Sequence, residues 1–202
     1  CHELIYQGAD LKNGKGLDDL PIPISTPGWD NAPYTSSSHY ITTDPNTGIQ
    51  NMGNYRGQIK APDRLGINTS TELRTGGYIN WLSWKERGEK MPCAVVIGCA
   101  PVISYASVQK VPEGIDELEV AGALIGKPLQ LVKALTVDIM VPADAEVVIE
   151  GFIDTEYLEP EAPFGESHGY VNLQEYNGFM DVTAVTRKKN AVITSWVSQV
   201  AP

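Results

Sequence analysis

The chain has 202 residues, 42% hydrophobic and 20% charged, the balance of a globular protein with room for a sizeable core and not of a disordered segment. A formal charge of -10 argues against nucleic acid as a partner, because phosphate backbones are bound by clustered Lys and Arg; a single Arg in a pocket can still take a small anion. Three cysteines (Cys1, Cys93, Cys99) without a CxxC pair, no signal-peptide pattern and no apolar run of spanning length argue against a disulfide framework, a structural zinc site and a membrane span, and fit a reduced cytoplasm.

The sequence starts at Cys1 and not at Met, as a piece of something longer would. Residues 1–38 are rich in Pro, Gly, Ser and Asp and read as an extended leader, with 39–202 as the domain proper. His39–Thr43 is β-prone, Asp44-Pro-Asn-Thr-Gly48 is a turn signal, and Ile49–Ile59 reads as the returning strand of a hairpin. That strand is unusually polar: Asn51, Asn54 and Arg56 suit a ligand-facing surface, or else a solvated edge. Leu65–Thr71 is a further strand candidate. Tyr78–Arg87, closed by Gly88, reads as a short helix with Trp81 and Trp84 on one core-facing side.

Met91–Gly98 is continuously apolar and β-branched, the pattern of a strand buried on both faces, and its Cys93 then acts as a small hydrophobe. Pro101–Ser107 and Asp116–Leu124 are short helices; Glu117 lies at the start of the second, where the helix dipole favours an acid. Strands are expected at Leu129–Leu135, Glu146–Asp154, Phe179–Arg187 and Ala191–Gln199, the last two joined as a hairpin through Arg187-Lys-Lys-Asn190. Together these give a β-rich α+β fold, barrel-like, with short flanking helices.

Glu161-Ala-Pro-Phe-Gly-Glu-Ser-His-Gly-Tyr170 carries two acids on a backbone stiffened by Pro163 and Gly165. Two carboxyl groups in unlike surroundings can serve as acid and base; the alternative is a solvated turn. His168 in this stretch reads as structural, and His39 has no assigned role.

Five segments in order carry a resemblance: Asp44-Pro-Asn-Thr-Gly-Ile-Gln-Asn-Met-Gly-Asn-Tyr-Arg56, Pro92-Cys-Ala-Val-Val-Ile-Gly-Cys-Ala-Pro101, Glu117-Leu-Glu-Val-Ala-Gly-Ala-Leu-Ile-Gly126, Val141-Pro-Ala-Asp-Ala-Glu-Val-Val-Ile-Glu-Gly151 and Glu161–Tyr170. Across roughly residues 40–200 the chain resembles the central part of the UbiD-type decarboxylases, which use prenylated flavin mononucleotide (prFMN) to remove or add a carboxyl group on aromatic and α,β-unsaturated acids. The resemblance implies a split β-barrel of the flavin-reductase-like type, here without the family's C-terminal oligomerisation domain, so that this piece is the cofactor-binding core and inactive alone. It implies a carboxylic acid substrate, a flavin prenyltransferase as cofactor supplier and a homo-oligomeric full-length protein.

Carried over residue by residue, the family's catalytic Arg-Glu-Glu set falls on Arg56, Glu161 and Glu166. Arg56 would grip a carboxylate or a cofactor oxygen, Glu166 would deliver the proton, and Glu161 would be tied to Arg56. Asn51, Asn54, Tyr55 and Arg74 are expected at the cofactor, with Ser107, Val108, Gln109 and Lys110 along the flavin. The family's divalent-ion site (Mn²⁺ or similar, with K⁺ nearby) uses Asn, His and Glu. Asn51 and Glu117 match the first and last, whereas Arg74 stands where the His belongs, or Glu72 if the gap is moved. An Arg cannot ligate a cation but can bind a phosphate. The alternative reading is a non-catalytic flavin- or nucleotide-binding module.

Overall fold

The structure is a computed structural model and describes residues 2–69, 74–112, 114–166 and 168–197. Strand β1 (Leu4–Gln7) is followed by helical turns at Leu11–Lys15 and Leu17–Asp19, then β2 (Tyr34–Thr35), β3 (Ser38–Thr43), β4 (Gln50–Asn54), β5 (Gly57–Ala61) and β6 (Arg64–Ile67). Helix α1 (Gly76–Glu86), β7 (Met91–Ile97), α2 (Pro101–Ala106) and α3 (Glu117–Ile125) come next. The chain ends with β8 (Leu131–Lys133), β9 (Met140–Pro142), β10 (Val147–Ile153), β11 (Glu159–Gly165) and the long β12 (Val171–Arg187).

Ten strands form one antiparallel sheet in the order β2-β5-β6-β12-β10-β7-β3-β4, with β1 and β11 also paired to β12; β8 and β9 form a separate pair. Among the described residues the ladder ends at β2 and β4, so the sheet is not a closed barrel. Its middle explains the apolar runs. On β7, Cys93, Val95 and Ile97 join a core with Leu17, Tyr40, Leu65, Ile149 and Met180, while Ala94 and Val96 face a second core with Ile41, Met52, Ile103, Leu118 and Val148. A strand buried on both faces is what the uninterrupted Met91–Gly98 pattern predicts, and each such Val or Ile contributes about 1.5–3 kcal/mol by leaving water.

The helices form where expected. Thr75 caps α1 by accepting from the Tyr78 N–H, and Asp116 caps α3 by accepting from the Leu118 N–H at 2.8 Å. Trp81 and Trp84 pack on the core and donate their indole N–H groups to the Asp154 and Thr43 carbonyls at 2.9 and 2.7 Å.

Three expectations are corrected. Ile49–Ile59 is not one strand: β4 pairs with β3, the chain breaks at Tyr55–Arg56, and β5 departs to pair with β2 and β6. Residues 1–38 are not merely a leader: β1 occupies an edge of β12, and Leu11, Leu17, Leu20 and Ile22 enter the first core. The hairpin through Arg187–Asn190 does not form, because β12 near Arg187 is already paired on both sides, to β1 and to β10. Residues 191–197 instead run past Ser36, whose hydroxyl donates to the Trp196 carbonyl and accepts from its N–H, both at 2.8 Å. Of the Leu65–Thr71 expectation β6 covers Arg64–Ile67, and residues 70 and 71 lie outside the described residues.

Candidate active site

The break between β4 and β5 puts Arg56 at the site's centre. Its backbone bridges to Asn68 just past β6, and its guanidinium reaches across to the β11 strand. Nε donates to Glu161 Oε1 at 2.8 Å and Nη2 to Glu161 Oε2 at 2.7 Å, a two-pronged grip; Nη1 donates to Glu166 Oε1. Burial opposes the Arg56 charge, yet the two carboxylates outweigh it and hold the guanidinium above its ordinary range. The Phe164 ring lies 4.8 Å from Arg56 Cζ.

The two acids are held differently. Glu161 is 3% exposed and accepts four hydrogen bonds, two from Arg56 and one each from Asn68 Nδ2 and Asn177 Nδ2, both at 3.1 Å. Glu166 is only half-buried and has the Arg56 contact with a long 3.5 Å approach from Asn172 Nδ2. Asn68 and Asn177 were not singled out from the sequence, since isolated amides at these positions belong to no recognisable spacing.

A second missed layer lies in residues 26–34, which brace the β11 strand. Asp30 accepts from the Gly165 N–H at 2.9 Å and from the Thr26 N–H at 2.8 Å, and the Tyr34 hydroxyl donates to the Ala162 carbonyl at 2.9 Å. A Cβ at Gly165 would sit 2.3 Å from Thr26 Oγ1, so only glycine permits this approach. Pro163 and Gly165 lie inside β11, with register shifts on either side of Glu161.

Asn51 and Glu117 are also brought together. Asn51 Nδ2 donates to Glu117 Oε1 at 2.9 Å, the Met52 N–H donates to Glu117 Oε2 at 2.7 Å, and burial raises the Glu117 pKa. Asn51 Oδ1 is buried without a partner. A Cβ on Gly76 would fall 2.4 Å from the Asn51 amide, so the start of α1 closes on this corner. Arg74 immediately precedes the cap of that helix; it is exposed and takes a positive φ of 46°. Glu72 lies outside the described residues.

Asn51 Oδ1 and Glu117 could face a divalent ion. Arg74 cannot complete the set, and among the described residues no group of three or more His, Cys, Asp or Glu gathers where it could hold a metal. Among the described residues, therefore, only Asn51 and Glu117 of the expected three ligands come together.

The remaining expected contacts divide. The Asn54 N–H donates to the Ser107 carbonyl at 3.2 Å, and Asn54 Oδ1 is another buried acceptor without a partner. Ser107 is buried, whereas Val108, Gln109 and Lys110 are exposed beyond α2. Tyr55 lies across Gly53, and its hydroxyl accepts from the Gly77 N–H at 3.3 Å, so it also ties β4 to α1. His168 is exposed beside Tyr170. The UbiD family model, described as the 3-octaprenyl-4-hydroxybenzoate carboxy-lyase Rift-related domain, matches residues 3–200.

A protein of Aquifex aeolicus is 36% identical over 177 residues, 87% of this chain and 36% of that protein. The UbiD-class enzyme HmfF from Pelotomaculum thermopropionicum, in complex with prFMN, superposes with a TM-score of 0.88 at 36% identity, covering 97% of this chain and 44% of that one. Vanillic acid decarboxylase from Sedimentibacter hydroxybenzoicus, in closed form, does so with a TM-score of 0.86 at 27% identity, covering 98% and 42%. The chain thus spans less than half the length of each of these relatives. With nearly its whole length matched, the chain belongs to the UbiD family.

Proposed function

We propose that this chain is the cofactor-binding and catalytic core of a prFMN-dependent carboxy-lyase acting reversibly on an aromatic, heteroaromatic or α,β-unsaturated carboxylic acid. The observation that carries the reading is the unequal hold on two acids by one half-buried cation: among the described residues, Glu161 is fixed by four nitrogens and Glu166 has one close contact. A split-barrel description of the curved sheet belongs to the same reading, as do a flavin prenyltransferase as supplier, a homo-oligomeric full-length protein and a cytoplasmic setting.

Bound prFMN would supply the electron sink for the carbon that loses carbon dioxide. Asn54 and the Ser107–Lys110 segment would hold it, and Arg74, at the start of α1, would take its phosphate. Arg56 has five N–H donors, of which the contacts to Glu161 and Glu166 use three, so each terminal nitrogen keeps one for a substrate carboxylate or a cofactor oxygen. Glu161 anchors and orients the guanidinium. Glu166, less restrained, carries the proton to the carbon vacated by the carboxyl group and withdraws it in the reverse direction.

The test is reconstitution with prFMN and assay of carbon dioxide release and exchange over a panel of such acids. Turnover that vanishes in Glu166→Gln while flavin remains bound supports the reading. A chain that binds flavin but turns over no acid, even within the full-length protein, points to the non-catalytic module that the Arg74 substitution suggests.

A further inference from the structure

Among the buried titratable side chains that the proposed mechanism leaves unused is His39. His39, on β3, is 3% exposed, and both ring nitrogens meet serine hydroxyls from the α2 region: Nε2 lies 2.9 Å from Ser104 Oγ and Nδ1 lies 3.0 Å from Ser107 Oγ. The hydrogen-bond pattern assigns the proton positions. With the Ser107 Oγ hydrogen given to the Ser104 carbonyl at 2.8 Å, Ser107 accepts from His39 and Nδ1 carries the proton. A neutral ring with Nδ1–H has its lone pair on Nε2, which Ser104 Oγ–H fills. Donors and acceptors then run in one direction: Ser104 to His39, His39 to Ser107, and Ser107 back to Ser104.

Ser107 is gripped at further points. Its N–H donates to the Ile103 carbonyl at 3.0 Å, and its carbonyl accepts from Asn54, the cross-strand partner of His39. The exposed Val108, Gln109 and Lys110 follow directly. Resting on the proposed flavin reading, we propose that His39 is a positioning residue for the flavin: a one-directional hydrogen-bond bridge that fixes Ser107, and through it the 108–110 segment, in the geometry that receives the cofactor. Burial lowers the His39 pKa to about 4 against the opposing pull of the Asn54 side chain, consistent with the neutral ring that the bridge requires.

A merely space-filling histidine would tolerate an apolar replacement of similar bulk, whereas a bridge needs its donor. In His39→Asn the amide can place an N–H near the Nδ1 position; His39→Leu has none. The measurement is FMN affinity by flavin fluorescence, paired with amide hydrogen exchange at Val108 and Gln109 in the flavin-free chain. We expect His39→Leu to weaken FMN binding about tenfold, the loss of one buried hydrogen bond, and to speed exchange at both amides, with His39→Asn within about threefold of the parent. If His39→Leu does not fold, Ser104→Ala, which removes only the donor to Nε2, must raise the same exchange rates. Unchanged affinity in His39→Leu, or equal losses in the Leu and Asn variants, overturns the bridge and leaves the flavin reading standing. A parent chain that binds no FMN overturns both.

Discussion

The Arg56–Glu161 pair is a two-pronged ion pair at the centre of the site and can be weighed directly. Its side chains are 14% and 4% exposed, and the guanidinium makes two parallel bonds to one carboxylate. Removing one partner from such a buried pair leaves the other charge uncompensated and costs about 3–5 kcal/mol. Arg56→Met should therefore destabilise the fold by that amount, since Glu166 loses its counter-charge as well. Glu161→Gln should cost less, because its amide still accepts from Asn68 or Asn177. In a double-mutant cycle followed by urea unfolding at pH 7, we expect a coupling of about 2–3 kcal/mol. The Lys133–Asp138 pair, 65% and 91% exposed, should show coupling within error of zero in the same assay. A coupling below about 0.5 kcal/mol for Arg56–Glu161 would refute the idea that this grip is a structural anchor.

Gly165→Ala should separate residues 26–30 from β11, because the added methyl meets Thr26 Oγ1 at 2.3 Å; a loss of about 1–3 kcal/mol by thermal or urea unfolding is expected, and a neutral result would mean that the segment yields freely. The buried His39 gives a pH signature of defined sign. Between pH 6.5 and about 4 the unfolded chain binds a proton at this ring and the folded chain does not, so stability falls as pH drops through that window, by up to about 3 kcal/mol. His39→Gln should remove that part of the slope, and an identical pH profile would count against it. Burial raises the Cys93 thiol far above its ordinary range and pushes Cys99 up to about 12; neither should react with iodoacetamide at pH 8 in the folded chain, as mass spectrometry can verify.

What the sequence made legible is what local pattern and short motifs encode. The Met91–Gly98 run, the three α-helices and the β3–β4 hairpin follow from periodicity, capping residues and a turn signal, and the meeting of Arg56 with Glu161 and Glu166 accords with a resemblance of fixed spacing. The misses are long-range. Nothing within Leu4–Gln7 says that it takes the edge of β12 where a returning C-terminal strand would otherwise pair. Asp30, Asn68 and Asn177 contact Glu161 or, farther along the same strand, Gly165 from distant positions in the chain, and their worth lies in three-dimensional convergence. His39 escaped for the opposite reason: a lone histidine in a strand is ordinarily core, and only the directions of its two serine contacts reveal a bridge.

The proposed division of labour between the two acids can be measured most directly by isotope incorporation. With the prFMN-loaded full-length protein turning over a substrate acid in deuterium oxide, the product should carry deuterium at the carbon that lost its carboxyl group. Glu166→Gln should slow the formation of deuterated product by a hundredfold or more, within the range typical of a lost general acid, with the flavin spectrum intact. An undiminished rate of deuterated-product formation in Glu166→Gln would contradict the assignment of the proton to the loosely held acid.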